Sequence, residues 1–176
     1  MVLALLLAAA SLPFFTDPAL ASDLGPIDPR PGSWAEYLVR TPGREIVRVR
    51  ATVFPAEGER RWWLELTAAG ESGIASAARI LIEGDRPWPA NVGRMFVMLA
   101  GQQPIELPVD RIRLALPRSR RARTRIWRDR SVPLWGLLKA RSPRQSIELV
   151  ACGASGGRSV FPPGWDQGNG SESAKK

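Results

Sequence analysis

Between Val47 and Val53 the chain alternates without a break. Val47, Val49, Ala51 and Val53 fall on one side, and Arg48, Arg50 and Thr52 on the other. A period of two belongs to a β-strand with one dry and one wet face. This run lies within Glu45 to Phe54. A run from Ser33 to Arg40 precedes it and one from Arg60 to Leu66 follows, set off by turns at Thr41–Arg44 and Pro55–Glu59. All three are rich in Val, Ile, Thr or Trp, so three antiparallel strands are expected. The outer two are apolar on both sides. Trp34 and Leu38 share a side with Glu36, while Ala35, Tyr37 and Val39 form a wholly apolar second side. Trp62 and Trp63 are adjacent, so one indole must lie on each face. Such a sheet needs a second layer, or a ligand, on its far side.

The pattern continues in shorter pieces. Ile74 to Glu83 is mixed: Ala75, Ala77 and Ala78 favour helix, whereas Arg79–Glu83 reads as a strand stopped by Gly84. Arg86 to Gly93 reads as a loop or a short helical turn near Asn91. Met95–Ala100 is wholly apolar and of a length that favours a buried strand over a helix. Gln102–Val109, with prolines at 104 and 108, suits a short edge strand. From Arg111 to Arg130 nine arginines fall in twenty residues. Their alternation with Ile112, Leu114, Leu116, Thr124 and Ile126 predicts a hairpin with one cationic face, turning at Pro117–Arg121. Val132–Lys139 and Ser146–Ala151, joined by a turn at Ser142–Gln145, are expected to be the last two strands.

Composition narrows the chemistry. Twenty-two of the 25 basic residues are arginine, and the formal net charge is +8. Such a charge attracts anionic partners without choosing among them. Histidine is absent and Cys152 is the lone cysteine. The chain thus lacks the commonest general base and transition-metal ligand, and it has no intramolecular disulfide. Cys152 is expected to be a buried small hydrophobe. No metal-ligand cluster, nucleophile elbow or P-loop is present, so no catalytic residue, metal or cofactor is expected.

The ends differ from the middle. Val2 to Leu12 is apolar apart from Ser11, and Ala19-Leu20-Ala21 follows. An apolar core of this length before an A-x-A site is the pattern of a secretory signal peptide, although no cation precedes it. Residues 1–21 are therefore expected to be cleaved, leaving Ser22 first and the chain outside the cytoplasm. That disfavours nucleic acid as a partner. Since Ser22 and not cysteine leads, the mature chain is not expected to be a lipoprotein. Residues 22–32 hold three prolines and read as a linker. A β domain is expected over 33–153. Residues 154–176 are rich in Gly and Ser and are expected to be mostly disordered, with Phe161 and Trp165 as the anchors able to pin the first half onto the sheet.

The order of certain short segments carries a resemblance. They are Trp34-Ala35-Glu36-Tyr37, Trp62–Leu66, Ile80–Asp85 with Asn91 and Arg94, Val132–Leu137, and Ile147–Val150. In this order the chain resembles exported bacterial proteins related to the LolA-like outer-membrane lipoprotein carriers, over residues 33–153. The resemblance implies a mainly β fold: a curved antiparallel sheet, an unclosed half-barrel, covered by one or two short helices or loops. It also implies a concavity that takes up acyl chains. The stretch Gln102–Arg130 is shorter and more basic than that pattern.

Two expectations follow. In the first, a periplasmic, non-enzymatic carrier binds a hydrophobic ligand, a lipid or an acylated protein, through Trp34, Tyr37, Trp62, Trp63 and Trp135. In the second, an envelope protein grips anionic lipid, lipopolysaccharide or wall polymer through Arg118, Arg120, Arg121, Arg123 and Arg125. Against these stand a core role for the tryptophans, and for the arginines a solvated edge that resists aggregation.

Overall fold

The computed structural model describes residues 23–24, 27–70, 73–84, 91–108 and 124–163. Nine strands are present among them: β1 (Trp34–Arg40), β2 (Val47–Pro55), β3 (Arg61–Gly70), β4 (Gly73–Glu83), β5 (Val92–Leu99), β6 (Ile105–Leu107), β7 (Arg125–Arg128), β8 (Leu137–Arg141) and β9 (Ser146–Gly153). They form one antiparallel sheet in the order β6-β5-β4-β3-β2-β1-β9-β8-β7. The sheet is curved and unclosed, as expected. Two meanders, β1–β6 and β7–β9, are joined where β1 meets β9, with Trp34 opposite Gly153 and Arg40 opposite Ser146.

Register sorts the side chains into two faces. The inner face carries Ala35, Tyr37 and Val39 of β1, Val49, Ala51 and Val53 of β2, and Leu64 and Leu66 of β3. Ala78 and Ile80 of β4, Met95 and Val97 of β5, and Ile147 of β9 continue it. All are buried in one apolar cluster. Leu24, Leu134 and Trp135 lie against the same cluster. The outer face is mixed. It has a second, smaller apolar cluster of Trp63, Ala77, Leu81, Phe96 and Phe161. Around it run cross-strand ion pairs: Arg48–Glu36 at 2.6 Å, Arg61–Glu83 at 2.6 Å, and Arg94–Glu106 at 2.8 Å. These pairs are solvent-exposed, so each is worth at most about 1 kcal/mol. Their larger effect is to fix register by placing opposite charges across neighbouring strands.

Three expectations need correction. Gly73–Glu83 is strand throughout, not helix in its alanine-rich half. Val132–Gly136 precedes the strand and forms a tight loop. There the buried Leu134 takes φ 68° and Gly136 φ 63°. Leu134 is held in that strained region because its side chain is buried and its carbonyl accepts from the Asp28 amide at 2.8 Å. Cys152 is exposed rather than buried. Residues 154–163 cross the outer face of the sheet, where Phe161 is buried. Trp165 and the rest of the tail lie outside the described residues, as do residues 1–22 and most of the arginine-rich hairpin, 109–123. Within that hairpin, β7 is described and pairs with β8. The two strands of the β8–β9 hairpin pair as expected, through a turn in which the Ser142 amide donates to the Gln145 carbonyl at 2.8 Å.

Candidate functional site

Alternation along β3 puts Trp62 on the inner face and Trp63 on the outer. The five aromatics expected to share a ligand site are therefore divided. Tyr37, Trp62 and Trp135 belong to the inner cluster. Trp34 and Trp63 lie on the outer face, with Thr52, Phe54 and Glu65. Tyr37 is fully buried. Burial, and then the nearby Cys152 thiol, push its phenol well above its ordinary value, so it stays neutral. Trp135 is buried, and its carbonyl accepts from Arg128 Nη1 at 2.7 Å. The same guanidinium donates through Nη2 to the carbonyls of Asp23 and Leu24 at 2.8 and 2.9 Å. Arg128 thus ties the segment before β1 to the loop before β8, which lie side by side over the inner cluster. Trp62 is half-buried at the margin of that cluster.

The outer-face tryptophans sit under the chain's own C-terminal segment. Beyond Gly153 the chain turns and crosses β1, β2 and β3 in succession. Trp34 Nε1 donates to the Ser155 carbonyl at 3.0 Å. The Gly157 amide donates to the Gly32 carbonyl at 2.9 Å. A side chain at 157 would run into the Thr52 methyl, so this close crossing requires glycine. Over β3, Ser159 Oγ donates to Glu65 Oε2 at 2.7 Å and the Val160 amide to Glu65 Oε1 at 2.8 Å. Phe161 ends the crossing in the outer cluster. The Arg79 guanidinium lies 5.3 Å from the Trp63 ring, 5.3 Å from Phe54 and 5.9 Å from Phe161. It supplies a cation to three aromatic faces at once.

Glu65 is the residue that sequence reasoning missed. It is 1% exposed in the middle of the sheet. Its one visible signal is parity: it shares a face with Trp63, so a carboxylate was bound to sit beside whatever covers that indole. Burial raises its pKa, and the bonds from Ser159 and Val160 and the charge of Arg79 oppose the rise. The sign follows from proton linkage. With the folded value raised, this group's contribution to stability is full below its unfolded value and is lost as pH rises through the folded one. Glu65→Gln is therefore expected to flatten the stability-versus-pH curve above the ordinary carboxylate range. The difference between parent and variant midpoints in urea melts, taken across that range, reads this directly. A pH-independent difference would remove Glu65 from the titration. Glu106 behaves oppositely. The Arg94 hydrogen bond holds it below its ordinary value, so its contribution is lost as pH falls.

Two grooves are lined by described residues. One, of about 440 Å³, lies on the outer face between Pro55–Glu57, Arg61, Trp63, Arg79, Leu81 and Arg94. The other, of about 330 Å³, lies beside Asp28, Arg128–Arg130 and Leu134–Gly136. In the first, Arg61 and Arg94 are already paired with Glu83 and Glu106, and Arg79 is shared among aromatic rings. That leaves little uncompensated charge for an anion. Among the described residues no group of three or more cysteine or acidic side chains could hold a metal ion. Of the five arginines expected to bind anions, Arg125 is exposed at the start of β7, the last strand of the sheet among the described residues. Arg118, Arg120, Arg121 and Arg123 lie outside the described residues. Comparison with known proteins adds no precedent for either face: no family model, curated protein or solved structure matches this chain.

Proposed function

We propose that the protein is an exported, non-enzymatic carrier of the periplasm or cell envelope that holds an acyl chain, or another hydrophobic ligand, against the inner face of its sheet. One observation supports this most: among the described residues, one unclosed sheet carries a continuous apolar inner face from Leu107 of β6 to Ile126 of β7, its side chains packed with one another and with Leu24, Leu134 and Trp135. An open sheet can splay to admit a chain in a way that a closed barrel cannot, and each methylene moved out of water contributes about 0.8 kcal/mol. Trp62, half-buried at the margin of this face, is the indole placed to meet such a ligand. The order of the segments that resemble LolA-like carriers points the same way. The leader-like run Val2–Leu12 would bring the chain to the compartment where acylated proteins travel.

The test is uptake of a fluorescent fatty acid by the parent and by Trp62→Ala. The parent is expected to bind the probe, and the variant to lose most of that binding for a stability cost of about 1–2 kcal/mol, since the indole is only partly buried. A parent that takes up no acyl probe, and from which native extraction releases no lipid, would mean that side chains fill the inner face; the carrier reading would then fail.

A further inference from the structure

We infer that one end of the sheet is a docking surface for an anionic lipid bilayer, with an apolar half that enters the interface and a cationic half that meets the phosphates. In this antiparallel order, the same end of the sheet holds the β1–β2 loop, the β3–β4 turn, the β5–β6 loop, the β8–β9 turn and the start of β7. Following sheet order along that rim, the apolar residues come first. Ile105 and Leu99 stand on the inner face of β6 and β5 by alternation; Ile74 stands at the start of β4, beyond the register shift that sets it opposite Ala69, and Ile46 at the entry to β2. Ile105 pairs with Val97 and Leu99 with Ser76, so Ile105, Leu99 and Ile74 step diagonally up the rim by two residues per strand, about 7–8 Å apart. Ile105 is 42% exposed, Ile74 45% and Ile46 52%.

The cations then follow in the same direction. Arg44 sits in the β1–β2 loop, Arg144 in the β8–β9 turn, and Arg141 and Arg125 face each other across β8 and β7. All four are exposed, and none of them makes an ion pair among the described residues. Glu45, exposed beside Arg44, is the one acid among the described residues of these loops; Glu71 lies outside them. The opposite end of the sheet has no such division. Its described loops mix Glu57, Glu59 and Asp129 with Arg60 and Arg130. The remaining exposed large apolar side chains, Trp127, Leu138 and Val150, are spread over β7 to β9.

Protein–protein interfaces ring an apolar core with a polar rim, rather than being graded from an apolar to a cationic half. A bilayer surface has that grading built in, with acyl chains beneath a layer of negative headgroups. The inner-face position of Leu99 and Ile105 also makes that part of the apolar half continuous with the inner cluster. The docking surface does not depend on the carrier reading, and its readout is separate from acyl-probe uptake.

The experiment is partition of the full chain onto phosphatidylcholine vesicles with and without phosphatidylglycerol, followed by co-sedimentation. Three proteins are compared: the parent, an Arg44→Gln/Arg141→Gln/Arg144→Gln variant, and an Ile74→Ser/Ile105→Ser variant. All the substituted side chains are exposed, and far-ultraviolet circular dichroism checks that each variant is folded. The parent is expected to prefer the anionic vesicles and to weaken as salt rises. The arginine variant is expected to lose on the order of a hundredfold in partition coefficient, and the isoleucine variant about tenfold. Anionic-vesicle binding unchanged in the arginine variant would place the contact elsewhere on the chain and overturn the proposal. Loss in the arginine variant with none in the isoleucine variant would reduce it to surface adsorption and overturn the inserted lip. A parent that ignores anionic vesicles would overturn it altogether.

Discussion

Trp63→Ala is expected to destabilise the fold by about 3–5 kcal/mol, the range for emptying a buried indole site. Trp63 is 7% exposed. Its ring lies 6.0 Å from that of Phe96, tilted by 59°, and beneath the Arg79 guanidinium. Leu81, Ala77 and Phe161 close the cluster around it. Because the cavity would open between a rigid sheet and a single crossing segment, collapse can recover only part of the lost contact. Small domains have about 5–15 kcal/mol in all, so the variant would sit near the edge of folding. Urea denaturation of parent and variant measures the difference. A loss under about 1 kcal/mol would mean that the outer cluster is not a second core.

Truncation after Gly153 is expected to have the next largest effect, a loss of about 2–4 kcal/mol. Phe161 is 5% exposed, and removing it returns a full aromatic surface to water, worth about 1.5–3 kcal/mol. Glu65 loses two donors, each worth about 1.5–3 kcal/mol to a charged acceptor. Two terms act the other way. Water can reach Glu65 once the segment is gone, and the truncated chain has no need to order those residues. The loss should not add to that of Trp63→Ala, because Phe161 and Trp63 share one cluster and one guanidinium. The double variant is expected to fall short of the sum by about 1 kcal/mol. Strict additivity in the same melts would mean that the segment and the indole are energetically separate.

The strand-by-strand reading of the sequence succeeded where one face was purely apolar. The alternation of β2 gave its faces directly, and the adjacent tryptophans had to separate. The reading failed where tertiary contacts override local preference. Ala77 and Ala78 look helical in isolation, yet each is buried, on opposite faces of β4, one in each apolar cluster. Small side chains are needed where covering segments approach the sheet, and propensity yields to that need. The loop before β8 was hidden for another reason. A leucine at φ 68° contradicts its own preference and is held there by neighbours 106 positions away, such as Asp28. For Cys152 the signal was a lone thiol in an apolar run. The shift of register between Glu36 and Tyr37 of β1 interrupts alternation against β9, and Val150 and Cys152 both emerge to solvent beyond it. The candidate site was legible as a set of aromatics but not as two faces. Parity alone could divide Trp62 from Trp63, but assigning either to the inner face required the pairing of β3 with β2 and β4. Glu65 could not be recognised until its partners, 94 and 95 residues further on, were brought to it.

The meeting of β1 with β9 has a kinetic consequence. Every pairing from β1 to β6 joins strands that are neighbours along the chain, and so does every pairing from β7 to β9. Such hairpins close small loops and form early. The one remaining seam joins the first strand to the last, and the bond from Trp34 to Ser155 that crosses it spans 121 residues. Until β9 has emerged and paired, β1 is an edge strand with its backbone groups unmet and Tyr37 and Val39 lacking their cover from Leu149 and Ile147. The order of events is therefore built into the connectivity: two sheets first, then one zipping step that turns the most exposed edge into the centre of the molecule. During synthesis from the N-terminus, that step is also the last one possible. The half-formed sheet then has to be kept from pairing with its neighbours until its own final strand arrives.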